Sequence, residues 1–170
     1  MFFITAQIVG FVALLFNILT FQAKRHRTMM SIQIVAATVY AVHFFMLGAL
    51  VGAVLNMASA LRAVIFRKYG QAGSGKRSLW PLLIIQIVGL VATIIIWQDW
   101  RSLLAAIGWQ LSTLAFWQRR EQRVRQLSLA GSPPWFAYDV LYGSIAGVAT
   151  EILVSSSAIV GLWRFRKKVR

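Results

Sequence analysis

The 170-residue chain has no cysteine, only four acidic residues and only three prolines. Without cysteine it can be neither a disulfide scaffold nor a thiolate metal centre. Charged residues make up 13%, about half the roughly 25% of an average soluble chain. With apolar residues at 59%, that scarcity excludes a soluble globular domain and a disordered tail. The eighteen Lys and Arg leave a formal charge of +14. A nucleic-acid binder carries such an excess on a polar face beside a modest core. Here the charges stand in short clusters between long apolar runs, the pattern of a multi-spanning membrane protein.

A bilayer core of about 30 Å takes roughly 20 residues of helix. Six runs meet this requirement: 2–21, 28–46, 49–66, 80–97, 102–117 and 144–163. A seventh stretch, 124–142, is ambiguous, because Gln126, Ser128, Gly131, Ser132, Pro133, Pro134 and Asp139 interrupt it. Hydropathy alone gives six spans, and charge favours seven. Cytoplasmic flanks collect Lys and Arg. The clusters are Lys24, Arg25, Arg27; Arg67, Lys68, Lys76, Arg77; Arg119, Arg120, Arg123, Arg125; and Arg164, Arg166, Lys167, Lys168, Arg170. Six spans force the last cluster outside, whereas seven put all sixteen charges on the cytoplasmic side. Only Arg101, beside Asp99, is then external, and Arg62 lies within the third span. The amino terminus is then outside and the carboxyl terminus cytoplasmic. The first run lacks a basic flank and a small-residue cleavage site, so it is read as a retained span. Trp80, Trp97, Trp100, Trp117 and Trp163 fall near membrane surfaces, where indoles are favoured.

Shifting the chain by 95 residues sets spans 1–3 on spans 5–7 and leaves span 4 unmatched. Identity in this register is low, but landmarks coincide. Tyr40 meets Trp135, Gly48 and Gly52 meet Gly143 and Gly147, and Asn56 meets Glu151. The face Gln33, Ala36, Tyr40, His43 meets Ser128, Gly131, Trp135, Tyr138. Gly48, Gly52, Asn56 and Ala60 lie four apart, as do Gly143, Gly147, Glu151 and Ser155, so each set shares one helix face. Small residues on such a face let backbones approach, and the polar one can bond across. The expected fold is all-α: one integral membrane domain of two parallel three-helix bundles, 1–68 and 100–165, joined by a linking helix, 80–97. Six helices are the alternative. Parallel repeats around a midplane site are a transporter plan.

The stretch Phe16-Asn17-Ile18-Leu19-Thr20-Phe21-Gln22 resembles the YgjV-type bacterial inner-membrane protein family. So do His43-Phe44-Phe45-Met46-Leu47-Gly48-Ala49 with Asn56 and Arg62, and Ser132-Pro133-Pro134-Trp135 with Gly147 and Glu151. The resemblance covers nearly the whole chain and implies the bacterial inner membrane. That family in turn looks similar to SWEET and PQ-loop transporters, whose bundles each contribute an asparagine from the third helix to a central solute site. Asn56 stands where one would be. Glu151 replaces the other, which weighs against a neutral sugar, and no Pro-Gln pair occurs in spans 1 and 5.

An ionisable group at mid-membrane usually faces a bundle interior or a watery cavity. Glu151 is therefore a candidate solute contact or proton site; the alternative is a carboxyl bonded to Asn56 that ties the halves together. Asn56 is a second candidate, with helix bonding as its alternative. Tyr40 and Trp135 are candidate walls of a binding site, with core packing as the alternative. Asn17, with Gln7 and Gly10, follows helical spacing in span 1, and Gln110 and Ser112 do so in span 5. Either set can line a path or pack. His43 can titrate or sit satisfied near the outer surface. Arg62 is read as snorkelling to the cytoplasmic face, and Asp139 as a hydrated helix end. Pro133-Pro134 should kink or break span 6, or mark the start of a shorter helix. Asp139 and Glu151 are twelve residues apart, about 18 Å along a helix, too far to share a proton.

No P-loop, dinucleotide fingerprint or metal-ligand constellation is present, so no cofactor and no enzymatic activity are expected. The expected function is a SWEET-like small-solute carrier or facilitator. The alternative is a non-transporting scaffold whose glycine faces bind partner helices. Expected partners are an unidentified small solute, anionic lipid at the basic tail and, by glycine-face packing, a second copy of the chain; nucleic acid is not expected.

Overall fold

The computed structural model describes residues 2–23, 26–69, 78–118 and 121–165. These form seven α-helices, and no strand occurs among them: α1 (Phe2–Gln22), α2 (His26–Met46), α3 (Leu50–Tyr69), α4 (Trp80–Ile95), α5 (Arg101–Trp117), α6 (Glu121–Leu141) and α7 (Ile145–Phe165). Lys24, Arg25, Lys76, Arg77, Arg119, Arg120 and the tail from 166 lie outside the described residues.

Four helices, α1, α2, α3 and α7, are long and apolar enough by themselves to cross a membrane, and α4 is apolar but shorter. α6 is long enough, at 21 residues or about 30 Å. Its hydropathy is low because its first turns carry Gln122, Arg123, Arg125 and Gln126 and because Ser132 and Asp139 are buried inside the fold. Pro81 sits in the first turn of α4, where its missing N–H had no partner to lose. Pro133 and Pro134, in contrast, sit deep inside α6, which runs unbroken from Glu121. Neither a broken span nor a helix starting at the prolines is found. Gly131 lets α6 lie on α5, with the site of its absent Cβ 3.3 Å from Leu111 and 3.4 Å from the Gly108 carbonyl.

Packing follows a ring. α2 touches α1 and α3, α6 touches α5 and α7, and the two triplets meet where α3 touches α5 and α1 touches α7. α4 stands outside the ring against α3 and α5. The two α2–α3 and α6–α7 turns are built alike. Gly48 (φ 73°) and Gly143 (φ 66°) occupy the left-handed region that glycine enters freely. Each turn carries the same backbone bonds 95 residues apart, Ala49 N–H to Phe44 C=O at 2.9 Å and Ser144 N–H to Asp139 C=O at 2.8 Å among them.

A glutamine clamps each turn. Gln98 donates to the Gly48 carbonyl at 3.2 Å and accepts from the Leu50 N–H at 3.0 Å. Gln7 donates to the Gly143 carbonyl at 2.8 Å and accepts from the Ile145 N–H at 3.1 Å. The two glutamines are not 95 residues apart, yet each caps the first free N–H of a third helix. Gln7 is thus a clamp, not part of a path. At the same end Arg101 pairs with Asp99 and lies over the Tyr142 ring at 4.5 Å. The Arg101 hydrogen bonds hold the Asp99 carboxyl below its ordinary range, so the pairing persists through that range and is lost only as pH falls below it.

The outer surface is the inverse of a soluble protein's. Large apolar side chains point outward, Ile8 59% exposed, Ile94 71% and Ile95 76%. In lipid such exposure carries no hydration penalty, while the backbone bonds are satisfied within the helices. Trp80, Trp97, Trp100 and Trp163 are exposed near helix ends, as expected of interfacial indoles. Trp117 is not: it is buried at the end of α5 against Phe66, ring centres 4.8 Å apart. Seven helices that all cross would place the two termini on opposite faces, and the distribution of basic residues predicts the carboxyl terminus in the cytoplasm. A reporter fused after Arg170 that signals only in the cytoplasm should then be active; an external signal would mean six crossings.

Candidate functional site

The six ring helices enclose a cavity of about 110 Å³. Every ring helix contributes to its wall and α4 does not. Twelve of its nineteen lining residues form pairs 95 residues apart: Asn17 and Ser112, Gln33 and Ser128, Tyr40 and Trp135, Phe44 and Asp139, Asn56 and Glu151, Ser59 and Val154. In each pair one residue comes from either triplet. Asn56 and Glu151 both stand eight residues beyond their glycine turn (48 to 56, 143 to 151), about 12 Å along the helix axis.

Five of the six residues singled out from the sequence, Asn17, Tyr40, Asn56, Trp135 and Glu151, line this cavity. Asn56 does not bond to Glu151; its amide donates to the Gly52 carbonyl at 2.9 Å. Ser132 stands beside the Glu151 carboxyl. The Tyr40 hydroxyl bonds to Thr150, joining α2 to α7. His43 is not brought to the cavity. It is fully buried, with Nδ1 2.7 Å from the Ala6 carbonyl and Nε2 2.8 Å from Ser144 Oγ. The hydroxyl of its repeat mate Tyr138 accepts from the Gly52 N–H of the other triplet at 2.8 Å. Together these contacts seal the end of the cavity nearest the glycine turns. Tyr40, Phe44, Asp139, Gly147 and Thr150 are buried there, whereas Asn17, Ser112, Phe116 and Ser128 at the opposite end are half-buried.

Three sequence readings are corrected. Arg62 does not snorkel: it is 3% exposed, lines the cavity and donates to Thr113 Oγ1 at 2.8 Å. Its guanidinium lies 4.8 Å from the Phe116 ring centre and 5.8 Å from that of Trp109, so aromatic faces replace water around the cation. Asp139 is no hydrated helix end: it is 2% exposed, lines the cavity, and its Oδ1 has no hydrogen-bond partner. Asp139 and Glu151 are not separated along one helix. The turn at Gly143 folds α7 back on α6, so both carboxyl groups reach one cavity and interact electrostatically. Gln110 lies outside the cavity wall, exchanging amide bonds with the Gln86 region of α4. Gly10 fits where α1 meets the His43 ring, 2.7 Å from the site of its absent Cβ.

Trp109 was not indicated by the sequence reading. It is 1% exposed and its indole N–H donates to Ser59 Oγ at 2.8 Å. Its ring rests on Gly89 of α4, so close that a Cβ there would sit 1.9 Å from Cζ3. This is how α4 is held against the ring. Among the described residues no group of three His, Cys, Asp or Glu is placed to hold a metal ion.

A profile of the family Imp-YgjV, described as "Bacterial inner membrane protein", matches residues 4–169. The chain is similar to "Inner membrane protein YgjV" of Escherichia coli (strain K12), with 27% identity over 166 residues, 96% of this chain and 87% of that one. No solved structure matches. Both matches concern this one family; the likeness to SWEET and PQ-loop carriers rests on the sequence reading alone. The seven helices and a match across nearly its whole length make the chain a member of the Imp-YgjV family of bacterial inner membrane proteins.

Proposed function

We propose that the protein is a small-solute carrier or facilitator, SWEET-like in plan, whose solute occupies the cavity between the two helix triplets. The observation that carries this reading is the cavity wall of repeat-related pairs drawn from both triplets. A site shared between two similar halves can be exposed to one side and then the other when the halves rock. The polar and charged wall supports a carrier over a scaffold, whose centre would be dry and apolar. The two carboxyl groups specify no reaction, and an enzymatic role is not part of the proposal. By the distribution of basic residues, the half-buried end of the cavity faces the cytoplasm.

Two measurements test it. Because the chain has no cysteine, Ser128→Cys introduces a single thiol at the half-buried end. A membrane-impermeant maleimide should label it from the cytoplasmic side. In proteoliposomes, solute entry should fall at least tenfold when Asn56→Ala is combined with Glu151→Ala, with the melting temperature retained. An unlabelled thiol, or entry unchanged in the double variant, would favour the scaffold.

A further inference from the structure

The cavity is lined by one basic side chain, Arg62, and two acidic ones, Asp139 and Glu151, that do not meet. No ion pair joins Arg62 to Asp139 or Glu151 within 4 Å. Helix rise explains the separation. Counting from the glycine turns, Asp139 lies about 6 Å down α6, Glu151 about 12 Å down α7 and Arg62 about 21 Å down α3. Side chains tilt toward the amino end of their helix, which brings the guanidinium back toward the centre, while Asp139 stays nearer the glycine turns and Glu151 stands at mid-depth. At the Asp139 end the wall holds a buried acceptor without a donor, Asp139 Oδ1, on a residue 2% exposed. Buried acceptors are rarely left unmade, so it calls for a donor from a bound molecule or water.

From this arrangement we infer that the cavity takes a small zwitterion of amino-acid type, its carboxylate on Arg62 and its ammonium on Asp139 and Glu151. The inference deepens the carrier reading and rests on it for transport, but not for binding. A monopolar solute satisfies one end and leaves the other charge buried without a counter-charge, which is unfavourable in a medium of low dielectric. A neutral polyol supplies a donor for that acceptor yet leaves Arg62 and the carboxyl groups uncompensated. Size agrees: a cavity of about 150 Å³ accepts a six-atom ring such as benzene, and about 110 Å³ suits an amino acid with a short side chain.

The test uses the unaltered full chain in lipid nanodiscs with four solutes of similar size: L-alanine, propionate, ethylammonium and glycerol. Binding is read by titration calorimetry and by the shift in melting temperature. L-Alanine should bind at least tenfold tighter than each of the other three. In Arg62→Gln that advantage over ethylammonium should vanish, and in Asp139→Asn the advantage over propionate should shrink. Propionate equal to L-alanine would mean a plain anion site, and glycerol equal to it a neutral-solute site. Either result, or no binding by any of the four, overturns the inference. The solute series needs no variant, so a misfolded Arg62→Gln leaves it decisive. Flux in proteoliposomes separates the two readings: L-alanine bound without flux sinks the carrier and keeps the zwitterion site. Glycerol flux without L-alanine preference does the reverse.

Discussion

Trp109→Ala should lower the stability of the folded protein by about 3 kcal/mol. Removing a buried large aromatic costs about 3–5 kcal/mol in soluble proteins. Part of that figure is transfer from water, which falls away when the unfolded helices stay in lipid, so the lower end applies. What remains is lost contact, and Trp109 makes contact on three sides. Its indole N–H bonds to Ser59 of α3, its ring covers Gly89 of α4, and Arg62 lies 5.8 Å from the ring centre. Helix association in a membrane depends on such packing and on interhelical hydrogen bonds. The converse change, Gly89→Leu, drives a side chain into the ring and should cost about 1–3 kcal/mol by overpacking. The double variant should be less destabilised than the sum, because the leucine fills the space the indole leaves. Coupling between touching residues runs to about 0.5–3 kcal/mol. Denaturation midpoints of the four proteins in one bilayer mimic would measure it. Strict additivity would mean that Trp109 does not seat α4.

Much of this architecture was legible in the chain because it is written twice. Gly48 and Gly143 announced two like turns, and the structure gives both the same left-handed backbone and the same hydrogen bonds. Asn56 with Glu151 and Tyr40 with Trp135 were found as repeat mates, and all four line the cavity. The misreadings share a different origin. Arg62 is near a helix end in sequence, which suggests snorkelling, but the face it occupies is decided by α5, whose Thr113 and Phe116 receive it. Asp139 and Glu151 looked distant because their spacing was measured along one helix, whereas the Gly143 turn doubles the chain back. Trp117 looked interfacial from its position at the end of a run, but Phe66 of α3 covers it. His43 and Gln7 each bond to the far end of the chain, at Ser144 and Gly143. Contacts made across more than a hundred residues leave no local pattern, so sequence spacing alone could not reveal them.

Removing the two tyrosine hydroxyls should open the sealed end of the cavity. Tyr40 bonds to Thr150, and Tyr138 receives the Gly52 N–H, so each ties one triplet to the other. Rocking of the halves must break both bonds, whereas bonds within a triplet can persist through the motion. A hydrogen bond contributes a net of about 0.5–1.5 kcal/mol. Tyr40→Phe with Tyr138→Phe therefore shifts the closed–open balance by about 1–3 kcal/mol, a factor of about 5–150. Thr150 keeps its bond to the Ala146 carbonyl, so Tyr40→Phe should leave the fold intact. The Gly52 N–H loses its acceptor, which makes Tyr138→Phe the larger of the two effects. Ser132→Cys provides the readout: Ser132 lines the cavity, is 4% exposed, and its thiol would be the only one in the chain. In the parent, a membrane-impermeant maleimide added outside the cell should label it slowly, and in the double-phenylalanine background at least fivefold faster. Added solute should slow labelling in both, since a filled cavity shields the thiol. Equal external labelling in parent and variant would leave two explanations, a permanently open pore or a rigid closed bundle. Labelling from the cytoplasmic side tells them apart, and in neither do the halves rock about this cavity.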